Sequence, residues 1–156
     1  MADAVAARWE LPAFRRGERA RVTEGVVAGT PVRVLKPTTY MNRSGAALAS
    51  LRADPLFNPA TDLLVLVDDF AIPIGTFRLR AEGSAGGQKG LRSIEGALMS
   101  QAYPRLRIGI GPKPDGIPGE DFVLGAFTAD ETEQIESLLP QMVDAVDQWL
   151  KKGTAP

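Results

Sequence analysis

Three stretches of this sequence put polar or charged residues where an apolar strand or a glycine cluster gives way to a helix or loop. The first is Lys36-Pro37-Thr38-Thr39-Tyr40-Met41-Asn42. Pro37 ends the strand before it, and the Asn42 amide offers a donor and an acceptor beside the Tyr40 ring, a pairing suited to gripping a polar substrate. The same amide would equally serve to cap the helix that follows. The second is Leu63-Leu64-Val65-Leu66-Val67-Asp68-Asp69-Phe70, an apolar strand running into two carboxylates. Open α/β sheets bind ligands at the carboxyl ends of their strands, which makes an acid here a functional candidate. Successive strand residues face opposite ways, so Asp68 and Asp69 do not share one task, and at most one faces the site. An acidic turn leading into Ile72-Pro73-Ile74-Gly75 is the plainer alternative. The third is Gly83-Ser84-Ala85-Gly86-Gly87-Gln88-Lys89-Gly90-Leu91-Arg92-Ser93, whose small residues would let backbone approach a ligand while the next helix turns its amino end to phosphate. It has neither the Walker A pattern nor GxGxxG spacing, so no nucleotide cofactor is indicated. Arg78, Arg80, Lys89, Arg92, Arg105 and Arg107 lie in or around this stretch. Together they would hold a phosphate chain; singly, each reads as a surface charge.

The residue types that are missing narrow the chemistry further. The 156 residues contain no Cys and no His. Thiolate nucleophiles, disulfides, thiolate or imidazole metal sites and every Ser-His-Asp or Cys-His mechanism are therefore excluded within them. The net charge of −1 conceals a polarised chain. Residues 1–112 carry 15 Lys/Arg against 10 Asp/Glu, and residues 113–156 carry 3 against 9. A basic front part suits an anionic partner such as an RNA backbone. A solvated surface with an acidic terminal helix accounts for the same pattern.

The elements that must position these residues follow from periodicity. Alternation predicts strands at Arg21–Val27, Val32–Leu35 and Thr76–Arg80, and apolar runs predict buried strands at Leu63–Val67 and Leu106–Ile110. Helices are predicted at about Ala2–Trp9, Asn42–Arg52 and Gly90–Ser100. The clearest helix is the last, in which Ile135, Leu138, Leu139, Met142, Val143, Val146, Trp149 and Leu150 recur on one face. Thr128 and Glu131 have the spacing of a capping box, Gly153 is a stop signal, and Pro140 is expected to kink or split the helix. Lys113–Gly119 reads as a surface loop. Strands alternating with helices argue for one layered α/β domain with a mixed sheet. No stretch approaches the roughly 20 apolar residues of a membrane span, and the opening lacks the features of a secretory signal, so a cytoplasmic location is expected.

These three segments, with Arg105-Leu106-Arg107-Ile108-Gly109-Ile110-Gly111 and Asp121-Phe122-Val123-Leu124-Gly125, stand in the order and spacing seen in bacterial peptidyl-tRNA hydrolases. The chain resembles that family from about Met1 to Leu150. The resemblance implies a three-layer αβα sandwich around a mixed, mostly parallel sheet. It also implies cleavage of the ester joining a peptide to the terminal ribose of tRNA, which recycles tRNA for translation. The implied partner is peptidyl-tRNA, with no cofactor, metal, DNA or membrane, and the implied state is a monomer. By the same resemblance Asn42 positions substrate and the attacking water, and Asp68 orients the family's catalytic histidine. Tyr40 contacts the tRNA end, and Arg80 and Arg107 clamp a tRNA phosphate.

The chain also departs from the family pattern. Family members open with a strand, a turn rich in glycine and asparagine, and the catalytic histidine, whereas this sequence begins with Met1-Ala2-Asp3-Ala4-Val5-Ala6-Ala7. A single domain over 1–156 that is incomplete at its amino end is therefore expected. Val67 replaces a frequent histidine, and Gln88-Lys89 replaces a usual His-Asn pair. Lys89 would still meet an RNA phosphate, but it has no acceptor. A carboxylate with a pKa of about 4 is a weak base at neutral pH, so little or no hydrolysis is expected of these residues alone. The alternatives are a non-catalytic RNA-binding relative and a folded remnant without function.

Overall fold

A computed structural model of the chain describes residues 1–39, 41–86, 88–112, 116 and 127–153; the side chains of Met41 and Asn42 lie outside the description. In chain order the elements are α1 (Ala2–Arg8), β1 (Arg15–Arg16), β2 (Ala20–Val27), β3 (Thr30–Pro37), a 3-10 helix (Met41–Leu48) and α2 (Ala49–Arg52). There follow α3 (Pro59–Asp62), β4 (Val65–Pro73), β5 (Phe77–Arg80), α4 (Lys89–Leu98), β6 (Arg105–Gly111) and α5 (Ala129–Lys152). The strands form two three-stranded groups, β1-β2-β3 and β4-β6-β5.

Side-chain alternation in β4 builds the layers. Val65 and Val67 pack into a core with Leu48, Leu91, Ile94 and Tyr103, under the 3-10 helix and α4. Leu64 and Leu66 point the other way, into a core with Val5, Met142, Val143 and Val146 from α1 and α5. β3 divides in the same manner, Leu35 to the first core and Val34 to the second. Helices thus cover both faces of a mixed sheet, as the sequence implied. A parallel majority is not found among the described pairings. Only β4 with β6 is parallel, while β1–β2, β2–β3 and β5–β6 are antiparallel. The cause is short connections: Ala28 and Gly29, both at positive φ, close the β2–β3 hairpin, and Ile74–Thr76 reverse the chain between β4 and β5. A parallel neighbour needs a crossover of a dozen or more residues.

α5 is a single helix of 24 residues with Pro140 inside it, so of the kink or split expected there, the split does not occur. Its capping box is formed: Thr128 Oγ1 accepts from the Glu131 amide at 3.2 Å, and Glu131 Oε1 accepts from the Thr128 amide at 2.8 Å. α1 is tied to α5 by the Trp9 indole N–H donating to Asp147 at 2.9 Å and by an Arg8–Asp144 ion pair of 2.7 Å. Trp9 first and Lys151 second hold the Asp147 carboxyl below its usual value. That part of the docking is therefore present above the ordinary carboxylate range and is lost as pH falls through the lowered value.

Two features bear on function. β3 and β4 each end their group of strands, and a cavity of about 1240 Å³ lies between them, with Asp68 in its wall. The 3-10 helix carrying Asn42 is held against α4 at Gly45, whose amide donates to Ser93 Oγ at 2.9 Å. A Cβ at Gly45 would overlap the Ser93 carbonyl. Gly45→Val is therefore expected to destabilise the protein by about 1–3 kcal/mol through overpacking, measured by urea unfolding. An unchanged midpoint would show that the two helices do not need this close approach.

Candidate functional site

β4 delivers the two adjacent carboxylates to different places. Asp68, opposite Ile108 in the parallel ladder, is half-buried on the wall of the large cavity. Among the described residues its carboxylate has no ion pair and no hydrogen bond. Asp69 lines a separate depression of about 310 Å³ together with Arg78, Arg80, Glu82, Arg105 and Arg107. There it accepts from Arg107 at 2.9 Å and from the Ala71 amide at 2.9 Å. The expectation that the two acids serve different purposes agrees with these positions. Asp69, for which no role was evident from spacing, is the anchor of an arginine. Alternation along β4 was the available signal, but nothing in the sequence named Arg107 as its partner.

The arginines arise from the β5–β6 ladder, which sets Arg78 opposite Arg107 and Arg80 opposite Arg105. Like charges directly across a sheet repel, so each needs a different outlet. Arg107 turns to Asp69 and to the Ser84 carbonyl, at 2.6 Å. Gly86 runs beside it at φ +60°, a conformation that favours glycine, and a Cβ there would meet Arg107 Nη1 in ordinary contact at 3.4 Å. Arg80 is exposed, and among the described residues its guanidinium donates only to the Leu79 carbonyl, at 3.0 Å. The structure therefore brings Arg80 and Arg107 to one depression.

Arg105 corrects the reading of these cations as surface charges. It is wholly buried, stacks 4.0 Å from the centre of the Tyr103 ring, and donates to the carbonyls of Gly83, Ser84, Gln101 and Tyr103. Burial, above all, draws its pKa below the ordinary guanidinium value. Its role is to fix the Gly83–Ser84 turn, against which Arg107 rests.

Lys89 is exposed in the first turn of α4, and the preceding Gln88 caps that helix by accepting from the Leu91 amide at 2.8 Å. Asn42 lies inside the 3-10 helix rather than at its cap, because that helix begins at Met41. Tyr40, Asp121–Gly125 and all of Lys113–Gly119 except Gly116 lie outside the described residues. Among the described residues, no helix is long and apolar enough to cross a membrane.

β4 runs on to Pro73, so Asp68 stands within the strand rather than at its carboxyl end, where the apolar run Leu63–Val67 had placed it. This carboxylate and the separate arginine-lined depression, on an αβα scaffold, define an α/β protein with a cationic surface site. The comparisons give the particular family. The model described as peptidyl-tRNA hydrolase matches residues 1–156, and the chain belongs to that family. A peptidyl-tRNA hydrolase of Gemmatimonas aurantiaca is 42% identical over 155 residues, covering 97% of this chain and 82% of the relative. One from Roseiflexus sp. strain RS-1 is 42% identical over 151 residues, covering 97% and 70%. The crystal structure of the peptidyl-tRNA hydrolase of Acinetobacter baumannii superposes with a TM-score of 0.87 at 26% identity, over 96% of this chain and 76% of that one.

The two arginines that face each other across β5 and β6 should separate in their effects. Arg105→Met is expected to lower stability by at least about 3 kcal/mol, since each stranded buried carbonyl costs roughly 1–3 kcal/mol. Arg80→Ala is expected to stay within about 0.5 kcal/mol of the parent. Thermal or urea unfolding decides, and equal losses would contradict these assignments.

Proposed function

We propose that this chain is a peptidyl-tRNA hydrolase of the cytoplasm. Its residues hold the tRNA end and orient the chemistry, and the proton acceptor comes from outside residues 1–156. The observation that carries the reading is Asp68: a half-buried carboxylate without a partner among the described residues, on the wall of a large cavity and next in sequence to the acid that anchors Arg107. A carboxylate so placed is suited to accept the N–H of a group entering from the cavity and to favour its basic form, the orienting part of a general-base pair. Ester hydrolysis then proceeds by attack of water on the carbonyl carbon. The proton passes from that water to the base and from the base to the ribose oxygen, which departs as the alcohol.

Arg80 and Arg107 would receive a tRNA phosphate. Arg107 is pre-oriented by Asp69 and Ser84, while Arg80 is exposed beside it. Tyr40, Asn42 and Lys89 are assigned to the tRNA end by the family pattern. The reading needs no metal or cofactor, no DNA or membrane, and treats the protein as a monomer. The lack of any His favours, as a second reading, an RNA-binding relative that does not cleave.

Binding of tRNA and cleavage of peptidyl-tRNA should be measured on the same preparation. Saturable binding is expected, with cleavage about 10² to 10⁴ slower than by the Gemmatimonas aurantiaca relative, the usual effect of losing a positioned base. Cleavage at the relative's rate would overturn the assignment of the base, and absence of binding would overturn both readings. Arg80→Ala should weaken binding and lower the slope of log affinity against log salt by about 0.7 to 0.9, one phosphate contact. An unchanged slope would remove Arg80 from the interface.

A further inference from the structure

The basic excess of residues 1–112 is local. Residues 11–43 carry seven Lys/Arg against two Asp/Glu, whereas residues 44–112 carry seven against six. The β1-β2-β3 group turns part of that excess into a row, with Arg16 opposite Arg21 and Arg21 opposite Lys36. Residues directly opposite across a ladder share a face, so three cations line up on one side of three strands. The other side is balanced, since Glu24 takes Arg15 at 2.8 Å and Arg33 at 3.2 Å. In the row, Lys36 is held by Asp3 at 2.7 Å and lies over the Phe14 ring at 4.1 Å. Asp3 is also within electrostatic reach of Arg21. Arg16, Arg21 and Arg19, in the β1–β2 turn, are exposed, and their guanidinium groups have no hydrogen bond or ion pair among the described residues. That turn is tight: the Gly17 amide donates to the Ala20 carbonyl at 2.9 Å, and the Arg19 carbonyl accepts from the Thr38 amide at 3.0 Å. Lys36 shares its side of β3 with Val34 and so faces α1, whereas Arg107, opposite Val67, faces α4. The row is therefore separate from the arginine-lined depression.

We propose that this row is a second binding surface, for the sugar-phosphate backbone of an RNA strand, with Arg16, Arg19 and Arg21 each meeting a phosphate. The spacing agrees. Three strands about 4.8 Å apart set the ends of the row about 10 Å from each other, over which one nucleic-acid strand presents about three phosphates at about 3.4 Å per nucleotide. Guanidinium forks suit phosphate, since each donates two parallel hydrogen bonds. Ribose is favoured over deoxyribose by Glu18, whose exposed carboxylate in the same turn has no partner among the described residues and would accept from a 2′-hydroxyl. The one aromatic ring in residues 11–36 is Phe14, half-buried beneath Lys36, so the row offers bases no ring to stack on and binding follows backbone charge. A lipid surface is disfavoured, because none of the large apolar residues exposed among the described ones belongs to β1, to β3 or to the turn carrying Arg19. Val26, in β2, faces the other way. The proposal goes beyond the hydrolase reading and does not rest on it.

The probe is a labelled oligouridylate, long enough to follow the row and free of any peptide ester. Its log affinity should fall against log salt with a slope of about −2, three phosphates at about 0.7 each for a single strand. Arg16→Gln combined with Arg21→Gln should bring the slope to about −0.7 and weaken binding about 25-fold at about 0.1 M salt, taking the contacts as lost at 1 M. Arg15→Gln combined with Arg33→Gln removes the same charge from the other face and should cost less than about threefold, since salt screens charges away from the contact. Both pairs are exposed and should leave the urea midpoint in place, which separates lost binding from lost folding. Oligodeoxyuridylate of the same length should bind more weakly, and Glu18→Ala should abolish that difference. Absence of saturable binding, or equal losses from the two arginine pairs, overturns the proposal. So does equal binding of the DNA, or equally tight binding of polyglutamate or of phosphatidylserine vesicles. Arg80→Ala should leave the affinity for oligouridylate unchanged; a loss matching that of the row pair would place the RNA in the depression and overturn the proposal too. Because the probe carries no ester, failure here leaves the proposed function standing, and an unchanged salt slope for Arg80→Ala with tRNA leaves the row standing.

Discussion

Because β4 pairs with β6 in parallel, with Val67 opposite Arg107 and Asp68 opposite Ile108, one short stretch of backbone sets the places of Asp68, Asp69 and Arg107. Alternation sends Asp69 toward the arginines and leaves Asp68 on the cavity wall. The same alternation sends Val67 and Leu66 into opposite cores, so the site cannot shift register without turning both cores inside out. One ladder thus fixes both the layering of the cores and the positions of the two acids.

On its other side β6 pairs with β5, and that ladder sets four arginines facing one another in two pairs. Arg105 is spent internally on four carbonyls and an aromatic face, Arg107 is half-neutralised by Asp69, and Arg78 and Arg80 remain exposed. The depression they share keeps a positive excess over Asp69 and Glu82. Such an excess stores repulsion that an incoming phosphate would relieve, and this is why geometry and charge there favour the same class of ligand.

Much of the fold was legible from the residues. The periodicity of α5, its capping box, the two apolar strands and the α/β layering all followed from spacing. What escaped were relations between distant segments. The fate of Arg105 depends on the Gly83–Ser84 turn lying over it, and an exposed and a buried arginine look alike in a strand of alternating charge. The excess of antiparallel pairings escaped too, because the family resemblance outweighed the two tight turns at Ala28–Gly29 and Ile74–Thr76. Asp68 could be singled out as an acid following an apolar run, but the continuation of β4 to Pro73, the lack of a partner for Asp68 among the described residues and the open gap beside it are visible only in three dimensions.

The account stands on the sheet being open between β3 and β4, with Asp68 at the opening. Amide hydrogen exchange followed by NMR on the chain alone tests this residue by residue. The Val65 amide donates to the Pro104 carbonyl at 3.0 Å, so by alternation Val67 and Asp69 also face β6, while Leu66 and Asp68 face the gap. Slow exchange at Val65, Val67 and Asp69 with fast exchange at Leu66 and Asp68 is the predicted result. Equal, strong protection at all five would mean that the gap is closed in solution, and would contradict the account.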